Sequence, residues 1–363
     1  MANNSLDKAR KEINEIDRQM AELFVRRMRA AEDVAEYKKE RGLAILDEAR
    51  ENEVIRRNSA LIEDEAIREF YVNFLRDTMA VSRAYQSRLM NGMKVAFSGT
   101  EGAFAHIAAC KLYPTAEKIS FGDFASAYKA VERGECDIAV LPVENNYNGE
   151  VGQVTDLMFS GTLYVNGMFD LPVTQDLLAK DGVTIDEITE VVSHPQAFGQ
   201  CNEYIERHRF TRHEFANTAL AAKWVRENPD KSVAAIGSRE AAEIFGLAVI
   251  DHDINENKKN STRFAIFSRV ANKQIAKESG VHSILLFTVR NEAGALAKAV
   301  DVIGKYGFNM RTLRSRPNKE LLWEYYFYVE VEGNIQSEAG TSLMESLGEF
   351  CDKLKFAGTY IKL

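Results

Sequence analysis

Thr262 and Arg263 stand at the mouth of an apolar run, Phe264 to Phe267, in the string NSTRFAIF (260–267). A hydroxyl beside a guanidinium at a strand end has two readings. It is a solvated strand end, or it is a site for an anion whose leaving group needs a proton. Three more polar or glycine-containing strings follow, or open, apolar runs: GTEGAFAHIAA (99–109), LPVENNYNGEV (141–151) and SHPQAFGQC (193–201). Ligand sites of parallel α/β sheets form at such strand ends, so these strings are candidates to share a site with Thr262 and Arg263. Gly99 and Gly102 need mark no more than a turn. Ser193 has the position of a helix N-cap, with Pro195 in the first turn, a role compatible with ligand contact. His194 reads as structural.

A second set of residues is charged rather than neutral: Arg10, Arg27, Lys38, Asp47, Arg50 and Glu51, with Ser82 and Gln86. Arg27 and Lys38 are separated by about three helical turns and share a face. Ser82 and Gln86 are related as i and i+4. Arg10 and Arg27 are roughly 25 Å apart on a straight helix, so one chain cannot close both on one small molecule. If both serve a single site, Arg10 comes from a partner chain. Taken singly, each of these charges is equally a solvated helix face.

The elements that position these residues fall into three textures. Residues 1–91 carry Leu6, Ala9, Ile13, Ile16, Met20, Leu23, Phe24, Ala31 and Val34 at helical spacing, which predicts a helix over about 5–40. Two more are expected, one from near Asp47 and one over about 64–91. Three helices with one long arm bury little apolar surface alone, which predicts a helical dimer. Residues 92–270 alternate short apolar runs with helical stretches and predict an α/β domain with mostly parallel sheets. A polar linker (270–282) leads to residues 281–363, whose order reads β-α-β-β-α-β, a ferredoxin-like unit with a helix near 337–354. Trp323 and the aromatics after it read as strand core.

The charged set, with the strings IDRQM and ILDEARENEVI, closely resembles the all-helical chorismate mutase family. That resemblance implies an intertwined dimer that borrows Arg10 from the other protomer. It assigns carboxylate binding to Arg10 and Arg27 with Ser82 and Arg50, the ether oxygen to Lys38 and Gln86, and the ring hydroxyl to Asp47 and Glu51. The chemistry suits those residue types. Rearranging chorismate to prephenate needs a folded dianion and donors aimed at an oxygen that gains charge, with no cofactor.

The four strings of the second segment resemble the prephenate dehydratase family. The resemblance implies a two-lobed fold like type II periplasmic binding proteins, with the substrate in the cleft. Prephenate loses its ring hydroxyl and carbon dioxide together, which calls for a donor at the leaving oxygen and a desolvated carboxylate. Thr262 matches the family's catalytic hydroxyl, Asn145 and Gln200 its polar partners, and Arg263 a carboxylate anchor. Thr100, Ala103, Ala105, Asn146, Thr174 and Gln175 depart from the family's usual strings.

RNEAGALAKAV (290–300) and LRSRPNKELLWEYYFYVEVEG (313–333) resemble the ACT regulatory domain. This implies a phenylalanine site on Gly294, Ala295, Leu296, Ser315, Arg316 and Pro317. Gly294 at a strand-to-helix junction exposes backbone N–H groups that suit a carboxylate. Arg314 stands where that family carries Glu, and Ala293 where it carries Pro.

Bulk properties set the outer bounds. A net charge of −8 over 363 residues leaves no electrostatic footprint for nucleic acid. No run of about 18 apolar residues offers a membrane span, and the N-terminus lacks an apolar signal core. Four scattered cysteines predict a reduced, cytoplasmic protein. No metal site or cofactor is expected, and the oligomer is expected to be a homodimer or homotetramer.

Overall fold

The computed structural model describes residues 2–272, 280–317 and 325–363. Trp323 and most of the expected linker lie outside these. The chain divides into two compact units, residues 1–93 and 94–363.

The first unit is three helices: α1 (Ala2–Glu40), α2 (Glu48–Ser59) and α3 (Glu65–Asn91). Asp47 and Asp64 cap α2 and α3, each accepting from backbone N–H groups of the first turn. Gly42, at φ +62, turns the chain after α1. Ala31 and Ala35 of α1 are buried, as are Leu75 and Met79 of α3. The first half of α1 is different: Leu6, Ile13, Ile16, Met20, Leu23 and Phe24 are all exposed.

The second unit holds two lobes and a C-terminal sheet. Lobe 1 opens with β1 (Lys94–Ser98), α4 (Phe104–Leu112), β2 (Glu117–Phe121) and α5 (Phe124–Glu132). It continues through β3 (Ile138–Asn145), β4 (Gly149–Glu150), α6 (Gly152–Ser160) and β5 (Tyr164–Pro172). The chain then crosses to lobe 2, with β6 (Asp176–Ala179), β7 (Glu190–Ser193), α7 (Pro195–Gln200), α8 (Asn202–His208) and β8 (Thr211–Glu214). Lobe 2 closes with α9 (Thr218–Glu227), β9 (Val233–Gly237), α10 (Arg239–Phe245) and β10 (Ala248–Asp251). The chain crosses back as β11 (Ser261–Ser268) into the middle of lobe 1, whose order is β2-β1-β3-β11-β5; lobe 2 runs β10-β6-β9-β7-β8. Lobe 1 is therefore discontinuous in sequence, and lobe 2 is continuous.

The sheets are mixed, which corrects the expectation of mostly parallel ones. β1 pairs parallel with β2 and β3, and β7 parallel with β8 and β9. The strands that carry the crossings run the other way: β11 is antiparallel to β3 and β5, and β6 to β9 and β10. Each crossing delivers the chain into its new sheet from the cleft end, which reverses its direction.

The C-terminal sheet is built from β12 (His282–Val289), α11 (Ala295–Lys305), β13 (Met310–Pro317), β14 (Tyr325–Glu332), α12 (Glu338–Gly348) and β15 (Cys351–Tyr360). Its antiparallel order, β13-β14-β12-β15, is ferredoxin-like. α12 ends at Gly348, earlier than expected, because β15 already begins at Cys351. Leu285, Phe287 and Val329 pack under α11 and α12. The alternate residues Ile284, Leu286, Tyr326 and Tyr328 share one core with Tyr128, Leu141 and Met158 of lobe 1. Both faces of this sheet are covered, so β12 reads as a continuous apolar run. Gly358 permits the closest approach: a Cβ there would stand 2.1 Å from the Val165 carbonyl oxygen.

Candidate active sites

In the helical unit, seven of the eight charged and polar residues singled out by sequence line one cavity of about 180 Å³: Arg27, Lys38, Asp47, Arg50, Glu51, Ser82 and Gln86. The helices explain the convergence. Arg27 and Lys38 project from one face of α1, Ser82 and Gln86 from the facing stripe of α3, and the capped start of α2 closes the third side. Arg27 donates to the Ser82 hydroxyl and to the Thr78 carbonyl at 3.2 Å. Its partial burial lowers its pKa through desolvation. Lys38 Nζ donates to the Ile45 carbonyl at 2.5 Å. Asp47 spends one oxygen on the Arg50 backbone N–H at 3.0 Å, and the Arg50 guanidinium meets Glu53 at 2.7 Å. Gln86 Oε1 is buried without a hydrogen-bond partner. Sequence reasoning missed Arg83, which lines the cavity and pairs with Glu51. Its position one helical turn before Gln86 was the available signal. Arg10 is absent from this cavity and exposed on the first half of α1. Four cations around a small cavity suit a compact dianion.

The larger cavity, about 570 Å³, lies between the two lobes. Lobe 1 lines it with Asn145, Asn148, Glu150, Thr262 and Phe264, and lobe 2 with Gln175, His194, Gln196, Gln200, Asn217 and Thr218. Asn145 and Thr262 are partners across the β3–β11 ladder. The orientation of the Asn145 amide is fixed by its surroundings. Its Oδ1 accepts from the backbone N–H groups of Tyr147 and Asn148, each at 2.9 Å, and a backbone N–H can only donate. Nδ2 therefore faces Thr262 Oγ1 at 2.9 Å, and also Asn260 Oδ1 at 2.9 Å. Because the Thr262 oxygen accepts from this amide, its own O–H is left to donate. Gln200 Oε1 accepts from Gln175 Nε2 at 3.1 Å, and Gln175 Oε1 is buried without a partner.

Two expected contacts fail, for one reason. Successive side chains of a strand point to opposite faces, so Thr262 and Arg263 cannot serve one cleft together. Arg263 turns behind the sheet, with Nε 2.8 Å from Asp170 and the guanidinium 3.8 Å from Glu144. This acidic setting raises its pKa further. Ser193, the last residue of β7, is wholly buried and donates to the Ile236 carbonyl at 2.6 Å. It neither caps α7 nor lines the cleft. His194 does both: its Nδ1 accepts from the Gln196 N–H at 3.2 Å. Burial lowers the His194 pKa, which favours the neutral ring. Gln196, Asn217 and Asn260 escaped the sequence reading, although Asn260 opens the NSTRF string and Asn217 precedes an obvious helix.

A third cavity, about 330 Å³, lies in the C-terminal sheet. Leu296 and Ser315 line it with Arg290, Glu292, Tyr325 and Phe327. Gly294, at φ +86, starts α11 beside it with Ala295. Arg316 and Pro317 do not line it. Alternation along β13 sends Arg316 to the opposite face, where Nε lies 2.9 Å from Asp156 and Nη1 3.3 Å from Glu150.

Comparison with known proteins decides between families. Residues 9–87 match the chorismate mutase type II model and residues 95–272 the prephenate dehydratase model. The bifunctional chorismate mutase/prephenate dehydratase of Neisseria gonorrhoeae is 30% identical over 97% of this chain and 95% of its own length. The chain belongs to the bifunctional chorismate mutase/prephenate dehydratase family. It carries both activities, in aromatic amino acid synthesis. Among solved structures, the prephenate dehydratase of Arthrobacter aurescens in complex with L-Phe is 25% identical, with a TM-score of 0.68 over 74% of this chain and 90% of that one. A protein described as a novel type of quorum-quenching acylase, GqqA, is 28% identical, with a TM-score of 0.69 over 74% of this chain and 98% of that one. No described helix is long and apolar enough to cross a membrane.

Proposed function

We propose that the helical cavity carries the rearrangement of chorismate and the interlobe cleft the aromatisation of prephenate. In the first, Arg27, Arg50 and Ser82 hold carboxylates, Lys38 and Gln86 face the ether oxygen, and Asp47 and Glu51 take the ring hydroxyl. The exposed apolar stripe of α1 supports a second copy of the chain as its cover, which would bring Arg10 to the partner's cavity. In the second, the locked Asn145 amide is the observation that carries the reading. As the carbon–carbon bond to the carboxylate breaks, its electrons aromatise the ring and expel the ring oxygen. Thr262 donates its hydrogen bond to that oxygen, strengthened because Thr262 itself accepts from Asn145. Gln200, held by Gln175, faces the other side of the substrate. An acylase-type reaction has less support: the hydrogen-bond partner of the Thr262 oxygen is an amide N–H rather than a base.

The Ser315 cavity is read as a phenylalanine site on an ACT-type sheet, supported by the likeness to a dehydratase solved with L-Phe. Free thiols at all four cysteines fit a reducing cytoplasm. The test is to give the purified chain chorismate without any cofactor. Phenylpyruvate should accumulate, and phenylalanine should slow it and bind in calorimetry. Prephenate alone as product would sink the cleft assignment. Arogenate as a second substrate is favoured by the partnerless Gln175 Oε1. That acceptor suits an ammonium, which the oxo-acid side chain of prephenate lacks. A direct competition of the two substrates separates them.

A further inference from the structure

The cleft and the C-terminal sheet meet across one short hairpin. In it β3 pairs with β4, setting Glu144 opposite Glu150 and Asn145 opposite Gly149. Its front presents the Asn145 amide to Thr262, with Asn148 and Gly149 on the cavity wall. Its two acidic residues are held by β13. Arg314 pairs with Glu144. Arg316 reaches Glu150 and Asp156 at once, and its Nε lies 3.0 Å from the Tyr326 hydroxyl. Tyr326 in turn donates to Asp156 at 2.6 Å, and Thr155 donates to the other oxygen of Glu150 at 2.5 Å. The site is shaped for this guanidinium. A Cβ on Gly152 would stand 2.2 Å from Arg316 Nη1, and Gly152 has no positive φ that would itself demand glycine.

We propose that Arg316, with Arg314, is a positioning residue for the dehydratase reaction: it clamps the β3–β4 hairpin from behind and so fixes the Asn145 amide that aligns Thr262. The physical case rests on geometry. A planar fork binds two carboxylates in fixed directions, which a single ammonium does not. Within the hairpin turn the Tyr147 and Asn148 N–H groups are held by Asn145 Oδ1, and Asn146 ties the turn to Ser261 at the start of β11, so the turn and the Asn145 amide move together. A displacement of about 1 Å at the donor of a reacting group costs on the order of 100-fold in rate. The inference rests on the reading of Asn145 and Thr262 as the reacting end of the cleft.

The experiment uses the full chain and prephenate, with mutase turnover and thermal unfolding measured alongside. Arg316→Met should lower dehydratase kcat about 10- to 100-fold, with KM within about threefold and the mutase rate unchanged. Arg316→Lys should recover only part of the loss. Gly152→Ala retains the arginine but displaces it, and should reproduce the kcat loss while leaving the fold intact. The double variant should be no worse than Arg316→Met, because both changes remove one interaction. Multiplying losses in the double variant would overturn the inference. So would a KM rise at constant kcat, or a Gly152→Ala enzyme of unchanged kcat. Thr262→Val separates the two levels: if it retains full dehydration, the underlying reading of the cleft is what fails.

Discussion

On the proposed assignment, the two cavities would bind closely related dianions in opposite ways. The helical cavity puts its ions on the wall: Arg27, Lys38, Arg50 and Arg83 against Asp47 and Glu51. The interlobe cleft faces its ligand mostly with amides and a hydroxyl, and puts its ion pairs behind the sheet, Arg263 with Asp170 and Arg314 with Glu144. The difference matches the chemistry proposed for each. A rearrangement keeps its carboxylates throughout and gains from charges that hold them. Decarboxylation must discharge one carboxylate, so a strong cation beside it would stabilise the ground state and slow its loss.

The contrast can be broken most forcefully at Thr262. Thr262→Val should cut dehydration by roughly 10²–10³-fold, the loss expected for one donor to a developing oxyanion, with mutase turnover unchanged in a coupled assay. A residual rate near wild type would return Thr262 to structure. Next in size, Lys38→Met should reduce mutase kcat by about 10²-fold and leave prephenate turnover alone; equal losses would mean that the two units are not independent.

A sharper test sits behind the sheet. Arg263→Met should leave KM for prephenate within about threefold, whereas a carboxylate anchor would raise it far more. Unfolding in urea should report a loss of about 1 kcal/mol, small because Asp170 is partly solvated. The smallest effect concerns acid. Burial depresses the pKa of both His106 and His194, while an unfolded histidine titrates near about 6.5. The unfolded chain therefore binds protons that the fold resists. Stability is full above that ordinary value and falls as pH drops through it toward the lowered folded values. His194→Gln should flatten the decline in urea midpoint between pH 7 and 5.

Much of this was legible in the sequence because the signals were local. Helix spacing, the helix starts near Asp47 and about 64, and the order of the last six elements can be read from neighbours in the chain. Of the helical cavity, the i, i+4 and three-turn spacings gave two shared faces, and the resemblance to the chorismate mutase family joined them with Asp47, Arg50 and Glu51 into one set. The errors with Arg263, Arg316 and Ser193 share a cause. A motif groups residues by adjacency, and a strand separates adjacent residues onto opposite faces. NSTRF and SRP each read as one site and fold as two. The mixed sheets were hidden for another reason, because strand direction follows from where the chain crosses between lobes. Arg83 was missed, and Gln175 was noted only as a departure from a family string, since their partners, Glu51 and Gln200, lie far off in sequence.

The discontinuity of lobe 1 bears on how the protein is made. A ribosome releases β1 to β5 first, then all of lobe 2, and only afterwards β11, the central strand between β3 and β5. Until residues 261–268 emerge, lobe 1 has a slot between two strand edges, while the continuous lobe 2 can already close on itself. The nascent chain thus holds half a cleft open during the synthesis of about ninety residues. The strand that fills the gap is the one that brings Thr262, so the lobe becomes whole and gains the hydroxyl proposed to react in the same step of its birth.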